Sequence, residues 1–482
     1  MAMLAKLLVF ASMAISLPMG AQVVTQDMAA HARLAQDAER RNDFPAAVHE
    51  YQLLASALPK SAEVQSNLGV ALYFDDQLRP ALAAFHRAIA LNSGLMAPHL
   101  FSGLAWYRLS NPDAAVHELE RAVRINSTDP IAHTWLGYAY SAQSRDEAAL
   151  KEFQEASKLD PKNIDVWYAL GNTWLQIGKE STLKLLVLAP NGARVWELAG
   201  EQCQMRGDRK AALIDFQEAA KRRPDITELN ERIVSLGGRV APGHVEDAQS
   251  QKVEDALYEK AHDAERESDA AFQRVEQLDP NSYRAHQIMA TAFASEKQDA
   301  QAIAEYREVL KLKPDVEGIH EALGEALVRS GKLAEGLSEF EAEMKAQPFS
   351  ASAHMNAGRA LLMLGRDDEA GKMLNAAAGM DRPPLETYLL LGKLDVRRRE
   401  YRGAVTMLTH YTSLETGNST AYFLLAMAYR GLGERDQMGR AIAQYKKTSE
   451  DAKERSGAQK ELQAAQSDSE DGEQSLQQGS ME

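Results

Sequence analysis

Residues 130–163 read PIAHTWLGYAYSAQSRDEAALKEFQEASKLDPKN, and this stretch decides the fold. When it is numbered from 1, the apolar and small residues at positions 4, 7, 8 and 11 share one helical face, as do those at positions 20, 24 and 27. A break near positions 15–17 separates the two patterns. Pro161 ends the second, because a proline ring and its missing N–H disrupt a helix interior. The stretch therefore predicts two amphipathic helices joined by a short turn.

The same pattern recurs with a period of 34 residues. Position 8 is occupied by Gly69, Gly103, Gly137, Gly171, Gly200, Gly324, Gly358 and Gly392. Position 20 is alanine in most windows, and position 24 is large and usually aromatic, as in Tyr51, Phe85, Phe153, Phe216, Tyr306 and Phe340. Small residues at positions 8 and 20 let two helices approach closely, and a larger side chain there would overpack them at a cost of roughly 1–3 kcal/mol. The large residue at position 24 is expected to fill the space between hairpins.

With twelve such windows over residues 28–448, the chain resembles the tetratricopeptide repeat family. The resemblance implies an all-α fold, a right-handed α-solenoid of about 12 helical hairpins with a long concave groove. It also implies that the groove binds a partner protein or a peptide segment.

Irregular windows suggest where the array is divided. The window at 164–192 is short, so its second helix is expected to be cut or absent, and the window at 249–282 has a compressed loop. Glycine, proline and polar residues at 239–252 predict a linker or hinge between an N-terminal array at 22–238 and a C-terminal array at 253–448. The alternative is one continuous superhelix with a bulged joint.

Both ends of the chain differ from the repeats. Residues 1–21 combine Lys6, the apolar run Leu7–Leu17 and a small residue, Ala21, at the expected cleavage position, which is the pattern of a secretory signal peptide. The mature chain is therefore expected in the periplasm or secreted, the alternative being an uncleaved anchor. Residues 449–482 hold nine acidic and three basic groups, and the final segment 467–482 is almost free of apolar residues, so this tail is expected to be largely disordered.

Charge and composition exclude several classes of protein. A formal net charge of −15 disfavours binding to nucleic acid or anionic lipid, because both require a basic surface. The single cysteine, Cys203, rules out an intramolecular disulfide and a multi-cysteine zinc site. The chain carries no phosphate-binding loop, dinucleotide loop or nucleophile elbow, and little of it lies outside the repeats. We therefore expect no enzyme activity, no cofactor and no metal.

Six histidines recur at position 4 of their windows: His31, His99, His133, His286, His320 and His354. Other windows have tryptophan or tyrosine there, so the position favours a flat, semi-polar side chain that packs between helices. Equivalent positions in successive hairpins are expected about 8–10 Å apart, too far for two imidazoles to share one metal ion. Packing is therefore expected rather than metal binding or catalysis.

The family resemblance places positions 2, 5, 9, 12 and 13 of the first helices on the concave face. In the first array it yields a candidate peptide-binding groove formed by Tyr73, Leu100, Leu104, Tyr107, Tyr138, Tyr168 and Asn172. In the second array the corresponding set is more polar and consists of Glu321, Glu325, Met355, Arg359, Lys393 and Arg397. The alternative is that positions 9 and 12 belong partly to the core.

Three functions remain open on the sequence alone. The favoured one is an exported scaffold that binds a segment of a partner protein in the groove of the first array. The second is a structural or assembly protein whose repeats stack between chains. The third is a non-catalytic regulatory subunit of an envelope enzyme, and the oligomeric state is not predicted.

Overall fold

The 34-residue pattern folds into helical hairpins in the computed structural model, which describes residues 26–240 and 248–450. Within these ranges every regular element is a helix, so the predicted all-α class is confirmed. The chain divides into two compact units: Met1–Pro190 with Asp247–Leu278 form unit 1, and Asn191–Glu246 with Asp279–Glu482 form unit 2. No helix of the described ranges has an apolar stretch long enough to cross a bilayer.

Unit 1 consists of ten helices in the described residues. They are α1 (Gln26–Arg40), α2 (Phe44–Ala57), α3 (Ala62–Phe74), α4 (Leu78–Leu91), α5 (Met96–Arg108), α6 (Pro112–Ile125), α7 (Pro130–Ala142), α8 (Asp146–Leu159), α9 (Ile164–Leu188) and α13 (Ala248–Leu278).

Unit 2 holds the remaining helices. They are α10 (Ala193–Met205), α11 (Arg209–Arg222), α12 (Thr227–Ser235), α14 (Tyr283–Ser295), α15 (Asp299–Leu312), α16 (Ile319–Arg329), α17 (Leu333–Ala346), α18 (Ala351–Met363), α19 (Asp367–Ala378), α20 (Glu386–Arg398), α21 (Tyr401–Leu414), α22 (Ser419–Leu432) and α23, which occupies residues 435–450.

The turn inside each hairpin passes through a residue in the left-handed region at position 15. The φ angles lie between 56° and 82° at Asn42, Asp76, Ser110, Ser144, Gly207, Lys297, Gly331, Gly365, Arg399 and Gly433. A left-handed residue after a helix satisfies the orphan carbonyls of its last turn and reverses the chain. The break expected near positions 15–17 is thus a helix C-cap of constant geometry.

The glycine at position 8 meets the large residue at position 24 of the same hairpin. A Cβ atom on Gly137 would lie 2.6 Å from the Phe153 ring, and one on Gly324 would lie 2.6 Å from the Phe340 ring. Phe153 and Phe340 are almost completely buried. The residue at position 24 therefore packs between the two helices of its own hairpin, in addition to any contact it makes between hairpins.

One hairpin of unit 1 is discontinuous in sequence. Helix α9 runs without a break through the place where the turn of a regular window would fall. Residues 164–192 therefore contain no separate second helix, as the short window predicts. The Phe272 ring of α13 packs directly against Gly171 of α9, because a Cβ atom added to this glycine would lie only 2.4 Å from the ring. Ser268 Oγ of α13 donates a hydrogen bond to the Gly171 carbonyl at 3.0 Å. Helix α13 thus supplies the missing second helix.

This pairing corrects the expectation for residues 249–282. They contain no compressed loop: Ala248–Leu278 is one continuous helix of 31 residues and belongs to unit 1, although residues from 253 onward were predicted to begin the C-terminal array. The physical reason is the Gly171–Phe272 contact, which repeats the packing of an ordinary hairpin. The hinge at 239–252 and the independence of two arrays stay predictions. The signal peptide and most of the acidic tail lie outside the described residues.

Candidate functional site

The histidines at position 4 connect the two helices of their hairpins. In five of the six, Nδ1 lies 2.5–2.7 Å from a carboxylate oxygen of the glutamate 19 residues later. We call these pairs His–Glu clasps, and they are His31–Glu50, His99–Glu118, His133–Glu152, His286–Glu305 and His320–Glu339. The sixth histidine, His354, contacts the Ser350 carbonyl instead, at 2.8 Å.

Two clasps are buried and have a second contact. His99 and His133 are 5% and 6% exposed. Their Nε2 atoms lie 3.3 Å and 3.0 Å from the carbonyl oxygens of Ser93 and Ser127, in the loop before each hairpin. The hydrogen bond to Glu152 raises the pKa of His133 above its ordinary value of 6.5, against the opposing effect of burial. These histidines therefore hold together a loop and two helices.

Three of the predicted groove residues lie in the core. Tyr73, Leu100 and Leu104 are only 2%, 4% and 0% exposed, and the Tyr73 ring packs edge-on against Phe101 with centroids 5.6 Å apart. Side chains so deeply buried offer no surface to a ligand. These three residues are therefore corrected to packing residues. For Tyr73 and Leu104 this agrees with the alternative that positions 9 and 12 belong partly to the core, and Leu100 shows that position 5 can do so too.

Two other groove residues meet on the first helices of successive hairpins. The Tyr107 ring of α5 and the Tyr138 ring of α7 both pack edge-on against Trp135, with centroids 5.7 Å and 5.6 Å away. All three side chains are half-buried. We call this set, Tyr107, Trp135 and Tyr138, the aromatic face.

Trp135 is the member of the aromatic face that the sequence analysis missed. It occupies position 6, which the family pattern does not assign to the groove. The available signal was its spacing, because residues three apart on a helix share a face and Trp135 precedes Tyr138 by three. Its indole N–H is buried without a hydrogen-bond partner among the described residues, which is an unusual state for a tryptophan.

The remaining predicted groove residues, Tyr168 and Asn172, lie on α9. The Tyr168 ring tilts against Phe272 with centroids 6.1 Å apart, so it contributes to the discontinuous hairpin. Asn172 is exposed, and its Nδ2 donates to the Tyr168 carbonyl at 2.9 Å. The structure thus connects Tyr107 with Tyr138 through Trp135, while Tyr168 has a separate packing partner.

Glu321 and Glu325 of the polar set in the second array accept hydrogen bonds from Asn356, a residue outside that set. Asn356 Nδ2 donates to Glu321 Oε1 at 2.9 Å and to Glu325 Oε1 at 3.0 Å. Burial raises the pKa of Glu321 above its ordinary value, and the neighbouring carboxylates of Glu325 and Glu343 add to this rise. The hydrogen bonds to Glu321 from Ser352 and Asn356 act in the opposite direction without cancelling the rise.

Other members of that set are tied to neighbouring helices. Arg359 pairs with Glu386 at 2.7 Å, and Arg397 pairs with Asp367 at 3.0 Å. Met355 is buried, and Lys393 is exposed.

The single cysteine is half-buried rather than fully buried. Cys203 Sγ lies 3.4 Å from Asp215 Oδ2. Burial raises the pKa of the Cys203 thiol, and the hydrogen bond to Asp215 and its negative charge raise it further. A raised pKa keeps the thiol protonated near neutral pH and lowers its reactivity.

Two segments of the chain match models of known families. A model described as "TPR repeat" matches residues 138–178, and one described as "Tetratricopeptide repeat" matches residues 321–383. The first segment lies in unit 1 and the second in unit 2, so each unit contains a segment that is similar to a tetratricopeptide repeat. No curated protein matches the chain.

Several solved structures resemble the chain at low identity. The crystal structure of MamA protein is 16% identical over 45% of this chain and 99% of its own, with a TM-score of 0.29. TTC0263, a thermophilic TPR protein in Thermus thermophilus, is 17% identical over 56% of this chain and 100% of its own, with a TM-score of 0.31. The APC/C hetero-tetramer Cut9-Hcn1 is 12% identical over 88% of this chain and 94% of that chain, with a TM-score of 0.35.

Proposed function

We propose that this chain is an exported, non-catalytic scaffold that binds a segment of a partner protein on its aromatic face. The observation that carries the proposal is the contact of Tyr107, Trp135 and Tyr138, three half-buried rings on the first helices of two hairpins. Tryptophan and tyrosine are the residues most enriched at energetic hot spots of protein interfaces. They bury a large area at low entropic cost and have polar atoms that can bond a peptide backbone.

The test compares the wild-type chain with a double variant, Tyr107→Ala and Tyr138→Ala. Each protein is used for affinity capture from an envelope or secreted fraction, and binding of the recovered partner is then measured. Loss of two central aromatic anchors is expected to weaken binding by about 2 kcal/mol or more, which is roughly thirtyfold in Kd. Unchanged recovery by a variant of normal helicity contradicts the proposal.

Tyr388→Ala is the matched control. This tyrosine belongs to unit 2 and is also half-buried, and its ring packs edge-on against His410 with centroids 4.4 Å apart. The control removes the same number of atoms per site and a similar aromatic contact. Partner binding is expected to be unaffected by this change, so equal losses in both variants would point to general destabilisation.

Export is the second part of the proposal and rests on residues 1–21. Its test is the amino-terminal sequence of the chain recovered from the periplasm or the medium. A mature chain that begins at Gln22 supports export, and a full-length chain confined to the cytoplasm contradicts it.

A second candidate function, assembly by stacking of repeats, is favoured by the end of unit 2. Phe423 and Met427 occupy positions 5 and 9 of α22, and they are 48% and 41% exposed. Leu100 and Leu104, at the same positions inside unit 1, are buried. Exposed apolar patches of this kind often mark interaction sites.

A further inference from the structure

The two buried His–Glu clasps belong to the hairpins that carry the aromatic face. His99 lies on α5 with Tyr107, and His133 lies on α7 with Trp135 and Tyr138. Each clasp fixes its first helix to the second helix of the same hairpin, through Glu118 on α6 and Glu152 on α8. A change in the hydrogen bonding of either clasp therefore affects the packing of a helix, α5 or α7, that carries residues of the aromatic face.

The contacts of these histidines fit one protonation state best. In each ring both nitrogens face an acceptor, a glutamate carboxylate at Nδ1 and a loop carbonyl at Nε2. Only the imidazolium ion donates from both nitrogens, since neutral imidazole has one donor and one acceptor. Loss of the proton therefore removes one hydrogen bond and sets a lone pair against an acceptor oxygen.

The charges around His133 favour the same state. Helix α8 presents Glu152 and Glu155, and both carboxylates raise the pKa of His133. Proton uptake at this site is therefore opposed mainly by burial.

The surroundings of His99 are more mixed in charge. Burial pushes the pKa of Glu118 upward, but the hydrogen bond from His99 and the charges of His99, His117 and His86 outweigh it and lower the pKa overall. His117 lies on α6 and His86 on α4. The lowered pKa of Glu118 favours its ionised form, the acceptor that faces His99 Nδ1.

We propose that protonation of His99 and His133 stabilises the two hairpins that carry the aromatic face, so that α5–α8 is more stable in mildly acidic than in alkaline solution. His133, whose pKa in the folded chain is raised above its ordinary value, contributes stability that is fully present below the unfolded-state pKa. This contribution disappears as the pH rises through the folded pKa. Each unit of such a shift changes the unfolding constant about tenfold.

The test measures urea unfolding and hydrogen-exchange protection of α5–α8 in the full chain at about pH 6 and about pH 8, the range in which histidine titrates. We expect protection corrected for intrinsic exchange to be several-fold lower at the higher pH. Equal protection at both values overturns the proposal. No partner is present in this experiment, so its outcome is independent of the proposed function.

The chain itself suggests a variant that does not titrate. Trp167 occupies position 4 of its window, and its Nε1 donates to the Pro161 carbonyl at 3.0 Å, six residues earlier. His133 makes the equivalent loop contact with Ser127, also six residues earlier. The double variant His99→Trp and His133→Trp is therefore expected to keep the loop contacts and to lose most of the pH difference in α5–α8.

A milder pair of changes keeps the proposal testable if the tryptophan variant fails to fold. Glu118→Gln and Glu152→Gln retain the size of the acceptors and remove the negative charge that faces Nδ1 of each histidine. The pH difference in protection is expected to shrink in this variant as well. A difference of wild-type size in a folded variant of either kind overturns the proposal.

Discussion

Gly331 and Lys297 occupy the same left-handed position in two hairpin turns, with φ angles of 82° and 60°. A side chain at Gly331 would meet no other atom within 4 Å, so the only penalty of Gly331→Ala is the backbone conformation. We expect this change to lower the free energy of unfolding of its hairpin by about 1 kcal/mol. Lys297→Gly is expected to act in the opposite direction, and both effects can be measured by urea denaturation. A neutral Gly331→Ala would contradict the strain argument.

Glu39 gives a second expectation at the scale of single residues. Burial raises the pKa of Glu39 to about 7, in spite of a hydrogen bond with Tyr51. When folding raises the pKa of a carboxyl group, the folded protein loses stability as the pH rises from the unfolded-state pKa through the folded-state pKa. Glu39→Gln, which cannot ionise, is therefore expected to stabilise the chain at about pH 8 by on the order of 2 kcal/mol and to change little below about pH 4. Urea denaturation at both values measures the effect, and equal stabilisation at both would contradict it.

Burial at single positions could be only partly predicted from the sequence. The pattern of glycine at position 8 and a large residue at position 24 is visible in a single 34-residue window, but position 24 was expected to fill the space between hairpins, and its contact with the glycine of the same hairpin was not predicted. The exposure of Leu100 or Phe423 depends on whether another hairpin covers it, and both have the same position in the repeat. No local pattern distinguishes them, and for that reason three groove residues proved to be core.

At the scale of elements, the discontinuous hairpin was hidden by a pattern that looked regular. Phe272 and Pro280 have the correct spacing for positions 24 and 32, so residues 249–282 read as a repeat of their own. Periodicity shows that a segment is a second helix but does not tell which first helix it packs against. The pairing of α13 with α9 is determined by the packing of Phe272 against Gly171.

A cross-link tests this pairing directly. A Cβ atom on Gly178 of α9 would lie 3.3 Å from the Cβ of Ala264 on α13, close to the separation of about 3.5–4.5 Å found in disulfides. In a Cys203→Ser background, the variant Gly178→Cys with Ala264→Cys is expected to form an intramolecular disulfide on oxidation, detected by mass spectrometry. Gly178→Cys with Val253→Cys is the control and should not cross-link. Failure of the first pair to oxidise would contradict the α9–α13 hairpin.

At the scale of the whole molecule, the repeat explains why an end of the array is chemically different from its interior. Positions 5 and 9 are apolar in many windows because another hairpin usually covers them. At α22 and α23 the described residues provide no such cover, and Ile442 and Tyr445 add to the apolar surface of Phe423 and Met427. A repeat array needs a polar surface at its ends to remain monomeric.

This surface predicts self-association through stacking of the end of one chain on a second copy. The mean mass from light scattering is expected to rise with protein concentration, because burial of the exposed parts of these four side chains contributes roughly 25 cal/mol per Å² of apolar area before the entropy of association is subtracted. The variant Phe423→Ser and Met427→Ser should remain monomeric over the same range. Met363→Ser, at a side chain that is 55% exposed on α18, is the matched control and should associate like the wild type. A wild-type mass that stays monomeric at every concentration would exclude assembly by stacking, whereas partner binding on the aromatic face would remain a proposal with its own test.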